Sequence, residues 1–97
     1  MANAIDGVNP IRCDTAATLK ASGIKVRIKA ICWESDGASQ IAGDDDLLIS
    51  NADGDEIYGK RAEFAGDGVG MYHFPENFES NGLVMTTIDG GVCYIYT

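Results

Sequence analysis

The chain has little of what most enzymes display. It contains one histidine, His73, and no Gly-x-Ser-x-Gly elbow, so any Ser-His-Asp or Cys-His pair has to use a residue set inside the strand-like run Tyr72-His73-Phe74. A catalytic role is not expected from it, and the expectation is a protein that is no enzyme and carries no cofactor. The three cysteines, Cys13, Cys32 and Cys93, are odd in number and lack CxxC spacing, which excludes a disulfide framework and a cysteine zinc site and points to reduced thiols. No stretch reaches the roughly 18 apolar residues of a membrane span. The start, Met1-Ala2-Asn3-Ala4-Ile5-Asp6-Gly7, has neither a basic region nor an apolar core, so synthesis in the cytoplasm without a signal peptide is expected. Positive charge is scarce as well. Seven basic residues against 15 acidic ones leave a net charge of −8, whose long-range field repels nucleic acid and anionic membrane alike.

What is there reads as a small β domain. At 97 residues with 45% hydrophobic and 23% charged residues, the chain has the composition of one globular domain near the lower size limit for a single core. Residues 1–11 mix Ala, Asn, Asp, Gly and Pro without a period and form an N-terminal arm, leaving 12–97 as the domain. Ile11 to Leu19 alternates as a strand, with a helical turn over Thr15–Lys20 as the competing reading because Ala is frequent there. A Ser22-Gly23 turn leads into the plainest alternation in the chain. Ile24, Val26, Ile28 and Ala30 fall on one side, and Lys25, Arg27 and Lys29 on the other.

Further along, Leu47–Ser50 and Glu56–Phe64 flank Asn51-Ala52-Asp53-Gly54-Asp55, a hairpin with an Asp-Gly turn. Met71–Phe74 reads as a strand ended by Pro75, followed by a loop over Glu76–Gly82. Leu83–Ile88 and Val92–Thr97 read as a terminal hairpin about Asp89-Gly90-Gly91. About seven short strands at this spacing, with no amphipathic helix, predict an all-β fold: a small antiparallel β-sandwich, with a small β-barrel as the alternative.

Each candidate site has a plain structural counterpart. Asp44, Asp45 and Asp46 with Asn51, Asp53, Asp55 and Glu56 offer oxygen ligands for calcium, but the spacing fails the EF-hand pattern, with Glu56 at its sixth place and Ala62 at its twelfth. Solvated turn acids are the simpler reading; no metal is assigned, and a two-loop calcium site stays open. Gly66-Asp67-Gly68-Val69-Gly70 lacks the Lys-Ser/Thr ending and the following helix of a phosphate loop. Trp33, Tyr58, Tyr72, Tyr94 and Tyr96 are either a sugar-stacking platform or core and interface residues. The row Lys25, Arg27, Lys29 holds three of the seven basic residues. It is either a solvated face or a docking surface for acidic protein, where a row of like charge fixes register.

The arm, the strand Ile24–Trp33, the Leu-Leu-Ile-Ser-Asn-Ala-Asp-Gly-Asp-Glu-Ile-Tyr-Gly hairpin, the Met-Tyr-His-Phe-Pro strand and the closing Gly-Leu-Val-Met-Thr-Thr-Ile-Asp-Gly-Gly-Val-Cys-Tyr-Ile-Tyr segment together resemble the small β-sandwich virion proteins of tailed bacteriophages, most of all capsid decoration (cement) proteins. The resemblance implies a structural virion protein on the outer capsid surface, bound to the major capsid protein in many copies, as a homotrimer, and resisting internal pressure. Lys25, Arg27 and Lys29, with Asn3, Ile5 and Val8 of the arm, are then the interface residues. The alternative is a small carbohydrate- or receptor-binding module of a phage tail or fibre.

Overall fold

The computed structural model describes residues 9–35, 37 and 40–97, the side chains of 69–70 and 75–77 excepted. Six strands follow one another: β1 (Ile11–Cys13), β2 (Ala17–Glu34), β3 (Asp46–Ser50), β4 (Glu56–Arg61), β5 (Val69–Ile88) and β6 (Val92–Tyr96). All pairings are antiparallel, in one open sheet of order β1-β6-β2-β5-β3-β4. The all-β, antiparallel expectation holds, and the sheet is consistent with a small sandwich.

Two strands do most of the work. β2 pairs with β5 along nearly its whole length, and the register breaks four times. Between Lys20↔Leu83 and Lys25↔Asn81, β2 carries three residues more than β5, and both Gly23 (φ 92°) and Gly82 (φ 72°) adopt the left-handed backbone there. The bulge bends the pair. Beyond it, Ala30–Glu34 of β2 gain β6 as a second neighbour, while Val84–Ile88 of β5 gain β3. The two ends of the bent pair thus carry different flanking strands, and residues from all of them enclose one core that includes Ile11, Leu19, Ile28, Ile31, Trp33, Leu47, Ile49, Leu83, Met85 and Ile95.

Several expectations change in physical detail. The Ser22-Gly23 turn is the bulge inside one continuous strand, so Ala17–Leu19 and Ile24–Trp33 belong to the same element. Pro75 does not end its strand. It lies in a second bulge, where β5 inserts 74–77 between Phe78, opposite Ile28, and His73, opposite Ala30. The terminal hairpin does not form either, because β6 registers with β1 and β2 and β5 registers with β3. Asp89-Gly90-Gly91 crosses between the two parts of the sheet. A Cβ at Gly90 would collide with the Gln40 carbonyl, and one at Gly91 (φ 75°) would come within 2.7 Å of the Glu34 carbonyl oxygen, so the crossing requires glycine at both places. The Leu47–Arg61 hairpin forms as expected: Asn51 Oδ1 accepts from the backbone N–H groups of Asp53 and Asp55, each at 2.9 Å, and Gly54 takes φ 92°.

All three cysteines are free thiols and buried, as the odd count implied. Cys13 and Cys93 stand opposite each other on β1 and β6, and burial pushes both thiols up, as it does that of Cys32. Each thiol ionises more readily in the unfolded chain, so its contribution is constant below the ordinary value of 9.0 and stability falls as pH rises past it. Urea midpoints should therefore decline between about pH 8.5 and pH 10.5. Exchanging all three for Ser or Ala should flatten that decline, and a slope that survives the exchange would assign it to other groups. Aromatic disulfide reagents should titrate these thiols only as the chain unfolds.

Candidate functional site

The basic row is exposed. Lys25, Arg27 and Lys29 alternate with Val26 and Ile28, which are buried in the core, so the period-2 pattern places the cations on the outer surface of β2. The alternation holds over a shorter stretch than the sequence implied. Ile24 is 49% exposed at the Gly23 bulge. At the second bulge the core face passes from Val26 and Ile28 to Ile31 and Trp33, and Ala30 and Cys32 turn to the opposite side against Tyr96 and Tyr94. A one-residue slip of this kind exchanges the two faces of a strand.

One carboxylate stands among the cations. Glu79, on β5 opposite Arg27, lies 3.4 Å from Lys25 Nζ through Oε1 and 3.8 Å from Arg27 Nη2 through Oε2. All three side chains are at least half exposed, so each contact contributes about 0.2–1 kcal/mol. Lys29 has no ion-pair partner among the described residues. Among the described side chains, three cations against one shared acid leave a net excess of positive charge on this face.

The acids gather elsewhere. Asp46 accepts from Arg61 in a two-pronged contact, Nε to Oδ1 at 2.9 Å and Nη2 to Oδ2 at 3.2 Å, which holds the Asp46 carboxyl below the usual range and raises the guanidinium. Asp45 Oδ2 accepts from the Ala42 N–H, Asp89 Oδ2 from the Asp46 N–H, and Asp67 Oδ2 from the Glu63 N–H with Lys60 at 3.8 Å. These carboxylates tie loops down. Asn51, Asp53 and Asp55 belong to the hairpin turn, and among the described residues no three His, Cys, Asp or Glu side chains form a group that could hold a metal. A shallow open depression of about 360 Å³ lies over the same hairpin between Leu48, Gly59 and Thr87, with the Asp46–Arg61 pair in its lining.

The remaining candidates separate. His73 is exposed opposite Ala30, and β2 lies between its strand and the β6 strand of Cys93. Gly68 is glycine because a Cβ there would run into the Trp33 carbonyl, a packing reason in place of a phosphate. Trp33 is fully buried and its indole N–H donates to the Gly90 carbonyl at 2.9 Å, so it is removed from any sugar platform. Tyr94 and Tyr96 belong to β6, whereas Tyr58 and Tyr72 join a different group. The Tyr72 ring stands 5.0 Å from Tyr58 and 5.1 Å from Phe74, and Phe74 stands 5.8 Å from Phe78. The sequence reading missed this ridge. Its signal in the sequence is the run of aromatics at 72, 74 and 78, interrupted by Pro75, which reads as a strand end.

Asn3, Ile5 and Val8 lie outside the described residues. The arm's end is tied down at Asn9, whose Nδ2 donates to the Thr97 carbonyl at 2.9 Å while its Oδ1 accepts from the Thr97 N–H at 3.0 Å. No helix among the described residues is long and apolar enough to cross a membrane. Comparison with protein-family models, with curated proteins and with solved structures gives no significant match, so the functional reading rests on the residues themselves.

Proposed function

We propose that this chain is a structural virion protein of the capsid decoration type, bound to acidic surface on the outside of a phage capsid through the exposed face of β2. The observation that carries the reading is the segregation of charge. In a chain of net charge −8, Lys25, Arg27 and Lys29 share one solvent-facing row on a strand whose other side is anchored in the core. A row on a sheet is preorganised, so its spacing is not lost to backbone freedom when a partner's carboxylates approach. Glu79 already neutralises part of Lys25 and Arg27 at weak, exposed distances, and a partner's acids replace one such contact with several. The partner is the major capsid protein, and the location is the virion surface after synthesis in the host cytoplasm. The turn acids, tied into loops, keep the opposing charge in the hairpin turns and loop connections.

Cryo-electron microscopy of the particle tests the location. Copies tiled over the capsomers with β2 against the shell support the reading, and density confined to the tail tip, or none, sinks it. Binding tests the residues. Replacing Lys25, Arg27 and Lys29 together by Gln removes three exposed ionic contacts, about 1–3 kcal/mol in all, and should weaken capsid binding about tenfold to a hundredfold. The variant should also lose most of the salt dependence. Unchanged occupancy and unchanged salt response would leave the row a solvated face.

A further inference from the structure

From Val69 to Ser80, β5 registers with β2 on one side, and β3 joins its other side only from Val84 onward. Among the described residues no strand lies along that second side, so the backbone groups of this stretch that point outward have no ladder partner. The usable edge is short. It runs from Val69 to Phe74 and stops at Pro75, which has no N–H, and at the inserted residues 74–77. Beside it Met71 is 43% exposed, Tyr72 41% and, past the bulge, Phe78 41%. Tyr72 also begins the ring series that runs through Phe74 to Phe78 and is backed by Tyr58.

Charge decides what can lie against this edge. Residues 69–75 contain no Asp, Glu, Lys or Arg, in a chain of net charge −8. Two copies that meet through the loops bring carboxylates together, and the cationic row lies on the other side of the 74–77 bulge. We infer that the edge Val69–Phe74 pairs with the same edge of a second copy, β5 against β5, antiparallel about a two-fold axis. The arrangement is self-complementary, since each strand offers the other the donors and acceptors it lacks, and Tyr72 of each copy extends the ridge of its neighbour. Six residues a side cover far less than the ~800 Å² per partner of a standard interface, so the dimer is weak. A two-fold pair stands in place of the homotrimer that the resemblance implies, and it leaves the β2 face open.

Sedimentation velocity from about 10 µM to about 1 mM protein, at about 50 and 500 mM sodium chloride, reads the inference directly. The expected result is a monomer–dimer equilibrium that tightens severalfold with salt, because screening relieves repulsion between two −8 chains; association through the cationic row weakens with salt instead. Met71→Glu with His73→Glu, both at exposed positions, should weaken the dimer at least tenfold with the circular dichroism spectrum unchanged. The Lys25, Arg27, Lys29→Gln variant should dimerise normally at high salt, which separates this surface from the capsid-binding one. Hydrogen exchange on the unmodified protein gives an independent reading, with amides in 69–74 gaining protection as concentration rises. A monomer at about 1 mM in high salt, a trimer, a dimer that persists in the double Glu variant, or protection gained on another strand would each overturn the inference.

Discussion

Trp33→Ala should destabilise the protein by about 3–5 kcal/mol, lowering the urea midpoint followed by far-ultraviolet circular dichroism. Trp33 is the only tryptophan and is fully buried; its neighbours on adjacent strands are Cys93 and Val69, and it belongs to the core cluster. Removal leaves a cavity that the bent sheet cannot easily close, because the core cluster to which Trp33 belongs draws its side chains from β1, β3 and β6 as well as β2 and β5, each fixed by ladders of its own. It also leaves the Gly90 carbonyl without its indole donor. For a domain of this length total stability is about 5–14 kcal/mol, so the loss is about a fifth of it or more. Trp33→Phe separates the two contributions: the ring remains and the donor goes, and the expected cost is about 1–3 kcal/mol for the unsatisfied buried carbonyl plus the smaller ring. A loss under about 1 kcal/mol for Trp33→Ala would mean the tryptophan is not in the core.

Gly82→Ala should cost about 2–4 kcal/mol by two mechanisms that act together. The residue has φ 72°, where an L side chain is strained, and its Cβ would come within 2.7 Å of the Ala52 Cβ and 2.9 Å of the Lys20 carbonyl oxygen. This is the point at which β5 bends, held by the Ala52 N–H donating to the Asn81 carbonyl at 2.8 Å and by the Ser80 hydroxyl donating to the Gly82 carbonyl at 2.7 Å. Gly23→Ala is the comparison. Gly23 has φ 92° but open space around it, so only the conformational cost of about 1–2 kcal/mol applies. The difference between the two variants is the overlap at the bend. Adding Ala52→Gly to Gly82→Ala should recover part of that difference, and a strictly additive double variant would show that the two residues do not meet.

Much of the local structure was legible. Asn51 and Gly54 specify their turn through one side-chain acceptor and one positive φ, so the β3–β4 hairpin follows from five residues. Lys25 and Arg27 alternating with Val26 and Ile28 show which side of β2 is wet between its two bulges, since a regular stretch of strand with one buried face has no freedom to reverse it. The cationic row could therefore be named before any coordinates. The aromatic ridge could not, because Tyr58 meets Tyr72 only after β4 has been carried across the core.

Composition and period thus determined the all-β class, the reduced thiols, the β3–β4 hairpin and the exposure of Lys25, Arg27 and Lys29. The tertiary structure decided that β6 lies beside β2 while β5 lies beside β3, that the expected strand Ile11–Leu19 divides, its first part becoming β1 and Ala17–Leu19 running on into Ile24–Trp33, that Met71–Phe74 and Leu83–Ile88 belong to one bent strand, and that the core face changes sides between Ile28 and Ile31. The reason is physical. A period of two reports which face of a strand is buried and says nothing of its neighbour, and a Gly-Gly link such as Gly90-Gly91 suits a hairpin and a crossing equally. What selects the crossing is contact with Gln40, Ile41 and Glu34, residues some fifty positions away that reach it only when the core has closed.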